Sequence, residues 1–170
     1  MDLKQHIREI PDWPKPGINF KDITTLLQDA EAFQQAIDQL AEPYLDKKID
    51  VIVGIDARGF IFAAALAYKL KTAMAIIRKK GKLPWKKLSE EYALEYGTDT
   101  IEMHEDAIKP GQSVMVVDDL LATGGTMESA IKMIEKLDVK IEGVSFLIEL
   151  DFFKGREKFN KYPLHSLLHY

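Results

Sequence analysis

The sequence predicts an α/β protein with a mostly parallel β-sheet and helices against its faces. Short runs of apolar, largely β-branched residues at 51–55, 73–77 and 114–117 have the length of buried strands, and 139–150 holds a fourth. Helical segments at 59–70 and 126–137 separate them. This alternation implies βαβ crossovers, which join parallel strands. Ligands of such sheets bind at the carboxyl ends of the strands, so the loops that follow strands are where a site is expected.

The other elements follow in chain order. Residues 3–10 predict a short helix that Pro11 stops, and the three prolines and one glycine of residues 11–17 predict a loop of fixed shape. Asp29 is the predicted N-cap of a helix that runs to about residue 45. Residues 85–99 form a long polar stretch, typical of a loop that closes over a site. We expect a single domain over residues 1–170.

Composition excludes several classes of protein. The chain of 170 residues is 46% hydrophobic and 29% charged, as in globular proteins. It contains no cysteine, which excludes disulfides, thiolate metal sites and thiol nucleophiles. No apolar run reaches the roughly 20 residues that span a bilayer, and the charged N-terminus is unlike an export signal, so we expect a cytoplasmic protein without a membrane partner. The net charge of −4 gives no general attraction to nucleic acid, so an anion site must be built locally.

The segment after the third predicted strand carries most of the chemistry. Two adjacent acids, Asp118 and Asp119, end a buried strand, where they are costly unless a ligand binds them. The two hydroxyls of a cis-diol suit them, because each carboxylate accepts hydrogen bonds. A helix N-terminus follows, where free N–H groups, glycines and threonine hydroxyls favour a phosphate. Two acids that accept hydrogen bonds from a diol, followed by a loop that binds phosphate, suit a ribose 5-phosphate. The loop residues are Ala122, Thr123, Gly124, Gly125 and Thr126.

Cations follow the two preceding predicted strands. Arg58 stands at the start of a helix, where the helix dipole repels a positive charge, so a bound anion is expected. Residues 78–82 hold four cations in five positions. Exposed cations often only face water, but beside a phosphate-bearing substrate an anion-binding role is favoured.

Other nucleotide-binding patterns do not fit. Residues 54–59 have the spacing with which a P-loop begins, but Phe60 and Ile61 follow in place of the lysine and the hydroxyl residue. The dinucleotide pattern G-x-G-x-x-G is absent from the sequence. His165 and His169 are four residues apart, but no third ligand is evident, so we expect no zinc site there.

Residues 116–126 resemble the phosphoribosyl pyrophosphate signature of the type I phosphoribosyltransferases, in the form typical of the adenine-specific family. The resemblance implies the type I phosphoribosyltransferase fold, with a small N-terminal hood over the base at about residues 1–28 and a flexible lid at about residues 80–99. It implies that Asp118 and Asp119 hold the ribose hydroxyls and that residues 122–126 bind the 5-phosphate.

Four further segments match motifs of that family. The segment Asp56, Ala57 and Arg58 resembles its pyrophosphate loop, in which the peptide bond before Ala57 is often cis. Residues 92–97 match its lid motif, and the resemblance implies that Glu95 lies near the purine N7 and the reacting centre as acid, base or electrostatic stabiliser. The other implied ligands of pyrophosphate are Arg78, Lys79 and Lys82; those of adenine are Ile18, Asn19, Phe20 and Lys21, with Phe20 stacking on the ring.

The activity implied by the resemblance is a reaction of purine salvage. A transferase of pentosyl groups moves the 5-phosphoribosyl group of phosphoribosyl pyrophosphate to N9 of adenine and gives AMP and pyrophosphate. The cofactor is Mg²⁺, held mainly by substrate oxygens without direct protein ligands, and a homodimer is implied. Glu95, Asp118, Asp119 and Arg58 would be the catalytic set. Two alternatives stay open: a phosphoribosyltransferase for an oxopurine, and a non-catalytic regulator that senses phosphoribosyl pyrophosphate or a purine.

Overall fold

The computed structural model describes residues 1–94 and 97–170, which form two compact units, Met1–Gln39 and Leu40–Tyr170. The helices are α1 (Thr24–Gln28), α2 (Ala30–Ala41), α3 (Gly59–Leu70) and α4 (Gly125–Glu135). The strands are β1 (Arg8–Ile10), β2 (Phe20–Asp22), β3 (Val51–Ile55), β4 (Ala73–Lys79), β5 (Lys87–Ala93), β6 (Thr98–His104), β7 (Ser113–Leu121), β8 (Lys140–Glu149) and β9 (Leu164–His169). Short 3₁₀ turns lie at Leu3–His6, Glu42–Tyr44, Asp151–Phe153 and Gly155–Phe159.

The first unit contains an antiparallel pair of strands, β1 and β2. The helix predicted over residues 3–10 is wrong beyond His6, because Ile7 is extended and the following residues pair with β2. That partner lies about ten residues further along the chain, so no local pattern indicates it. The N-cap prediction is confirmed: Asp29 Oδ1 accepts from the backbone N–H of Glu31 and of Ala32, each at 3.0 Å.

The second unit is built on a seven-stranded sheet in the order β5-β6-β4-β3-β7-β8-β9. The pairs β4–β3, β3–β7, β7–β8 and β8–β9 are parallel, as the sequence predicted for the centre of the sheet. Both β3 and α3 have the predicted bounds. Strand β7, however, runs on to Leu121, so Asp118 and Asp119 belong to the strand and do not follow it. Continued pairing with β8 keeps these residues extended.

Most of the described part of the polar stretch at 85–99 is strand and not an irregular loop. Strands β5 and β6 form an antiparallel hairpin in which Lys87 pairs with His104 and Ala93 with Thr98. The hairpin joins the edge of the sheet through two residue pairs between β4 and β6. Because an edge hairpin has one face in water, its alternate residues are polar. The composition of this stretch alone therefore predicts a loop.

One part of the core of the second unit lies between the sheet and α4. Alternate side chains of β3 and β4, including Val53, Ile55, Ala75 and Ile77, pack there with Met127 and Ala130 of α4. None of the helices among the residues that the structure describes has the length and apolar character needed to cross a membrane.

Candidate active site

Three chain segments leave the sheet side by side at the carboxyl ends of β3, β4 and β7. The register pairs Gly54 with Val117 and Ile55 with Ile77. The loop after β3 therefore lies next to the acids at the end of β7. As a result the Arg58 guanidinium lies 2.8 Å from Asp119 Oδ2. The structure thus brings together residues that the sequence separates by about sixty positions.

The two acids of β7 carry an electrostatic conflict. Asp119 is 5% exposed and Asp118 is half-buried. Burial raises the pKa of both carboxyls, and the neighbouring charge of Asp119 raises that of Asp118 further. The Arg58 charge acts in the opposite direction on both. Within the described residues Asp119 Oδ2 accepts no aligned hydrogen bond, although Arg58 pairs with it electrostatically. Hydroxyl donors of a ligand would supply what this oxygen lacks.

A pocket of about 210 Å³ lies at the N-terminus of α4. Gly124 has a φ of +80° and gives the helix no side-chain cap, so the first backbone N–H groups of α4 are left for a ligand. These N–H groups and the helix dipole favour an anion in the pocket. Its lining comprises the predicted phosphate loop, Ala122 to Thr126, together with Asp118, Leu120, Leu121, Met127 and Phe146.

The segment after β8 supports this loop from behind. A Cβ on Gly155 would collide with the Ala122 carbonyl oxygen, and one on Gly124 would lie 3.1 Å from the Phe159 ring. Arg156 holds the segment to β8 by two hydrogen bonds to the Glu149 carboxylate, at 2.9 and 2.7 Å. Sequence analysis gave Gly155 and Arg156 no role, because their contacts are tertiary. The structure shows that this segment backs the phosphate loop.

The predicted pyrophosphate loop is organised around the Asp56 carboxylate. The peptide bond between Asp56 and Ala57 is cis, as the resemblance implied. Asp56 Oδ2 lies 3.4 Å from Arg78 Nε and 3.5 Å from Lys82 Nζ, and accepts from the Lys79 backbone N–H at 3.3 Å. Although burial raises the pKa of Asp56, that N–H and the two cations lower it below its ordinary value. Asp56 therefore holds Arg78 and Lys82 next to Ala57 and Arg58.

The side chain of Lys79 belongs to a different cluster. Its Nζ donates hydrogen bonds to Tyr92 OH and to Asp99 Oδ2, both on the hairpin. Arg78 and Lys79 are consecutive in a strand, so their side chains point to opposite faces of the sheet. The basic segment that the sequence presents as one patch is thus divided between two sites.

The predicted adenine segment lies in the first unit. Phe20 contacts Trp13 edge to face, with ring centroids 4.5 Å apart. The Lys21 ammonium is buried and pairs with Glu9 Oε2 at 2.9 Å. The Ile18 carbonyl accepts from the Trp13 N–H at 3.1 Å, and the side-chain amide of Asn19 donates to Glu9. These contacts fix the shape of the loop before and at the start of β2. Glu95, the predicted residue of the reacting centre, lies outside the described residues.

One group of side chains elsewhere has the ligand types of a metal site. Glu149, Asp151 and His169 bring their ligand atoms within 4.8 Å of one another. However, Arg156 already binds both oxygens of Glu149, and His169 Nδ1 lies 2.8 Å from Asp151 Oδ1. The cluster is accounted for as an ion-pair network that joins the ends of β8 and β9.

Comparison with known proteins agrees with this geometry. The model of the phosphoribosyl transferase domain family matches residues 24–162. An adenine phosphoribosyltransferase of Brachyspira hyodysenteriae is 58% identical over all 170 residues, which is 100% of both chains. An adenine phosphoribosyltransferase of Clostridium tetani is 56% identical, covering 100% of this chain and 99% of that one.

Solved structures give the same result. The crystal structure of adenine phosphoribosyltransferase from Thermoanaerobacter pseudethanolicus superposes with a TM-score of 0.95 at 50% identity, covering 99% of this chain and 98% of that one. The enzyme from Saccharomyces cerevisiae, solved with adenine and an imino-altritol bisphosphate, has a TM-score of 0.92 at 38% identity, covering 98% and 96%. Full-length identity at this level, on a chain whose fold matches, places the protein in the adenine phosphoribosyltransferase family.

Proposed function

We propose that this protein transfers the 5-phosphoribosyl group from phosphoribosyl pyrophosphate to N9 of adenine, giving AMP and pyrophosphate. The observation that carries the proposal is the arrangement at the carboxyl end of the sheet. There Asp118 and the uncapped N-terminus of α4 line one pocket, and the Arg58 guanidinium lies 2.8 Å from the adjacent Asp119. Family membership supports the choice of adenine as the base.

We propose roles for the residues of the second unit from their placement. The Asp118 and Asp119 carboxylates accept from the ribose hydroxyls, because burial makes unligated charges there costly. The backbone N–H groups and hydroxyls of residues 122–126 bind the 5-phosphate. Both anchors fix the ribose so that its anomeric carbon faces the incoming base. Positioning of this kind supplies a large part of the barrier reduction in such transfers.

Pyrophosphate is proposed to leave towards the loop at Asp56. Arg58, Arg78 and Lys82 offer positive charge there, and the Ala57 peptide offers backbone groups. Lys79 contributes the backbone N–H that holds Asp56 in place. These cations stabilise the negative charge that develops on the leaving group. Glu95 remains our proposal for the group at the reacting centre, on the basis of the sequence motif alone.

The base segment Ile18–Lys21 is proposed to select adenine. The exocyclic amine of adenine needs an acceptor, whereas the 6-oxo group of hypoxanthine or guanine needs a donor. Backbone groups of this segment would provide the match, and Phe20 would stack on the ring. The hood at residues 1–28, the lid at 80–99 and their membership of one domain are part of the same proposal.

Mg²⁺ is proposed to accompany phosphoribosyl pyrophosphate. Mg²⁺ keeps oxygen ligands and often binds through substrate phosphates, so an ion held mainly by substrate oxygens, without direct protein ligands, suits a pocket whose lining includes the Asp118 carboxylate. When bound, the ion neutralises part of the charge of pyrophosphate. We place the reaction in the cytoplasm, because its multiply charged substrate and product do not cross a membrane unaided.

A homodimer is proposed from the surface of α3. This helix has a single charged residue, Lys69, and is apolar all round. Its sheet-facing residues are buried, but Ile61 and Tyr68, seven residues apart on one face, are 37% and 89% exposed. A helix of this type is normally covered on both sides, and a second copy of the chain would cover the free face.

The test of the activity is a pyrophosphate-release assay with phosphoribosyl pyrophosphate, Mg²⁺ and each purine base in turn. We expect release with adenine and formation of AMP. Release with an oxopurine alone would retain the phosphoribosyl site and refute the roles of Phe20 and its neighbours. Ligand binding without release from any base would identify a sensor.

A further inference from the structure

The side chains of Lys79, Tyr92 and Asp99 form a closed cluster between β4 and the hairpin β5–β6. Lys79 Nζ donates to both partners, and Tyr92 OH donates to Asp99 Oδ2 at 3.0 Å. Tyr92 is buried, and its ring packs in the core against which α4 lies. Each member thus bonds to the other two, which restrains three side chains from three strands.

The strand geometry places the Lys79 ammonium on the α4 side of the sheet. Ala75, Ile77 and Lys79 alternate along β4, and the first two are part of the core on that side. Ile101, the partner of Lys79 on β6, is in the same core. Arg78 points to the other face and reaches Asp56. Lys79 Nζ is therefore separated by the sheet from the cations that hold Asp56.

The cluster lies next to the last described pair of the hairpin, Ala93 with Thr98, which we call its tip. Tyr92 and Asp99 are the cross-strand pair beside it. Strand β4 pairs with β6 at Arg78 and Lys79, and the Lys80 N–H donates to the Thr100 carbonyl at 3.0 Å, so the described backbone pairing to β4 ends before Asp99. Beyond that point the Lys79 side chain is the described connection between the tip and β4.

The tip lies over the phosphate loop. A Cβ on Gly125, the first residue of α4, would be 3.9 Å from the Ala93 carbonyl oxygen. The lid motif of the sequence begins at Tyr92. The cluster of Lys79, Tyr92 and Asp99, which we call the clamp, therefore lies at the base of the segment that the proposed reaction needs in place. At the other end of Lys79, its backbone N–H binds Asp56 of the proposed pyrophosphate loop.

We propose that Tyr92 and Asp99 are positioning residues for the transfer reaction: by binding the Lys79 ammonium, they hold the tip of the hairpin over the phosphoribosyl site. Lys79 is then an anchor of the lid, and its side chain is not a pyrophosphate ligand. The inference rests on the proposed function, because the position of a lid affects turnover only if the site carries out the transfer.

The charges of the cluster suit a permanent clamp. Although burial lowers the pKa of Lys79, its hydrogen bonds to Asp99 and Tyr92 raise it above its ordinary value. The hydrogen bond from Lys79 is the main cause that lowers the pKa of Asp99. Both groups therefore stay charged at neutral pH, and a charge-assisted hydrogen bond is stronger than a neutral one.

The first test replaces Asp99 by asparagine, which keeps the shape and removes the charge. Because a misplaced lid slows chemistry without changing the base site, we expect kcat to fall about tenfold with KM for adenine unchanged. The matched control is Glu91→Gln, which removes a charge from an exposed residue next to Tyr92 on β5, outside the cluster. Tyr92→Phe, which removes one hydroxyl, is the second variant if Asp99→Asn does not fold.

Two further measurements separate positioning from pyrophosphate binding. In a Lys79→Met background, Asp99→Asn should cause no further loss of kcat, because a clamp without its cation is already open. Amide hydrogen exchange at Ala93 and Thr98 should be faster in Asp99→Asn than in Glu91→Gln.

Undiminished kcat in both Asp99→Asn and Tyr92→Phe, or unchanged exchange, would overturn the inference. So would a Lys79→Met variant whose only defect is a raised KM for pyrophosphate in the reverse reaction. Absence of AMP synthesis by the unmodified protein would refute the proposed function, whereas the exchange measurement would still test the clamp.

Discussion

Replacing Gly59 by alanine tests how closely α3 must approach the acids of β7. A Cβ at Gly59 would lie 2.8 Å from Asp118 Oδ1, 3.1 Å from the Val117 carbonyl oxygen and 3.2 Å from Asp118 Cα. Two of these neighbours are backbone atoms of a central strand, so they can yield only by moving β7 or the start of α3. Overpacking of this kind costs about 1–3 kcal/mol. It exceeds the gain of up to about 1 kcal/mol that alanine brings to a helix relative to glycine.

Gly125 provides a matched control for stability. It is the first residue of α4, as Gly59 is of α3. A Cβ there would meet nothing closer than the Ala93 carbonyl oxygen at 3.9 Å, an ordinary contact. Gly125→Ala should therefore be neutral or slightly stabilising. The two variants should differ by about 2 kcal/mol in the free energy of unfolding, or about 4–8 °C in Tm.

The assay is urea denaturation of both variants, followed by fluorescence and circular dichroism. Gly59→Ala should also raise KM for phosphoribosyl pyrophosphate, because the new methyl group displaces the Asp118 carboxylate. Equal stability of the two variants would refute the argument, since it would mean that the approach of α3 to β7 is not tight enough to exclude a methyl group.

The remaining predictions concern charge and assembly. Arg58→Met should raise KM for phosphoribosyl pyrophosphate at least about tenfold in initial-rate measurements, because it removes one charge-assisted contact and leaves Asp119 buried without its cation. Asp118→Asn should abolish transfer but raise the free energy of unfolding at pH 7 by about 1 kcal/mol, and an unchanged or lower value in urea would contradict this. A raised carboxyl pKa in the folded state means that stability is lost as pH rises from the ordinary aspartate value to the raised folded value, so the gain should be absent at pH 3, where the carboxyl is largely protonated in both states. Tyr68→Glu should halve the mass found by light scattering while the circular dichroism spectrum is kept, and a monomeric parent protein would contradict the proposed dimer.

The parts of the fold that sequence predicted are those with strong local periodicity. Strand β3 is apolar at every position and α3 begins at a glycine after a turn. The first and last residues of both elements were therefore predicted correctly. Strands β1 and β9 were missed because each is short and half-exposed, and its pairing depends on a distant partner. The length of β7 was underestimated because two acids look like the end of a buried strand. Pairing with β8 continues through them.

The grouping of the candidate site residues was predicted in part, for related reasons. Local chemistry selected Asp118, Asp119 and residues 122–126, and the structure places Asp118 and residues 122–126 around one pocket. The support from Gly155 depends on a close backbone approach that leaves no pattern in sequence. The separation of Arg78 from Lys79 was predictable in principle, since consecutive residues of a strand face opposite ways. Treating residues 78–82 as one basic patch overlooked that rule.

The carboxyl end of the sheet combines groups that are costly to hold together without a ligand. The Asp118–Asp119 pair loses water on burial, which the Arg58 charge and backbone hydrogen bonds partly offset, whereas Arg58 is also the cation of the loop where pyrophosphate is expected. Binding of phosphoribosyl pyrophosphate would satisfy both groups, because its hydroxyls would donate hydrogen bonds to the acids and its pyrophosphate would pair with the arginine. Keeping the site preorganised therefore lowers the stability of the free protein. For this reason the substitution that most damages the chemistry, Asp118→Asn, is also the one expected to stabilise the fold.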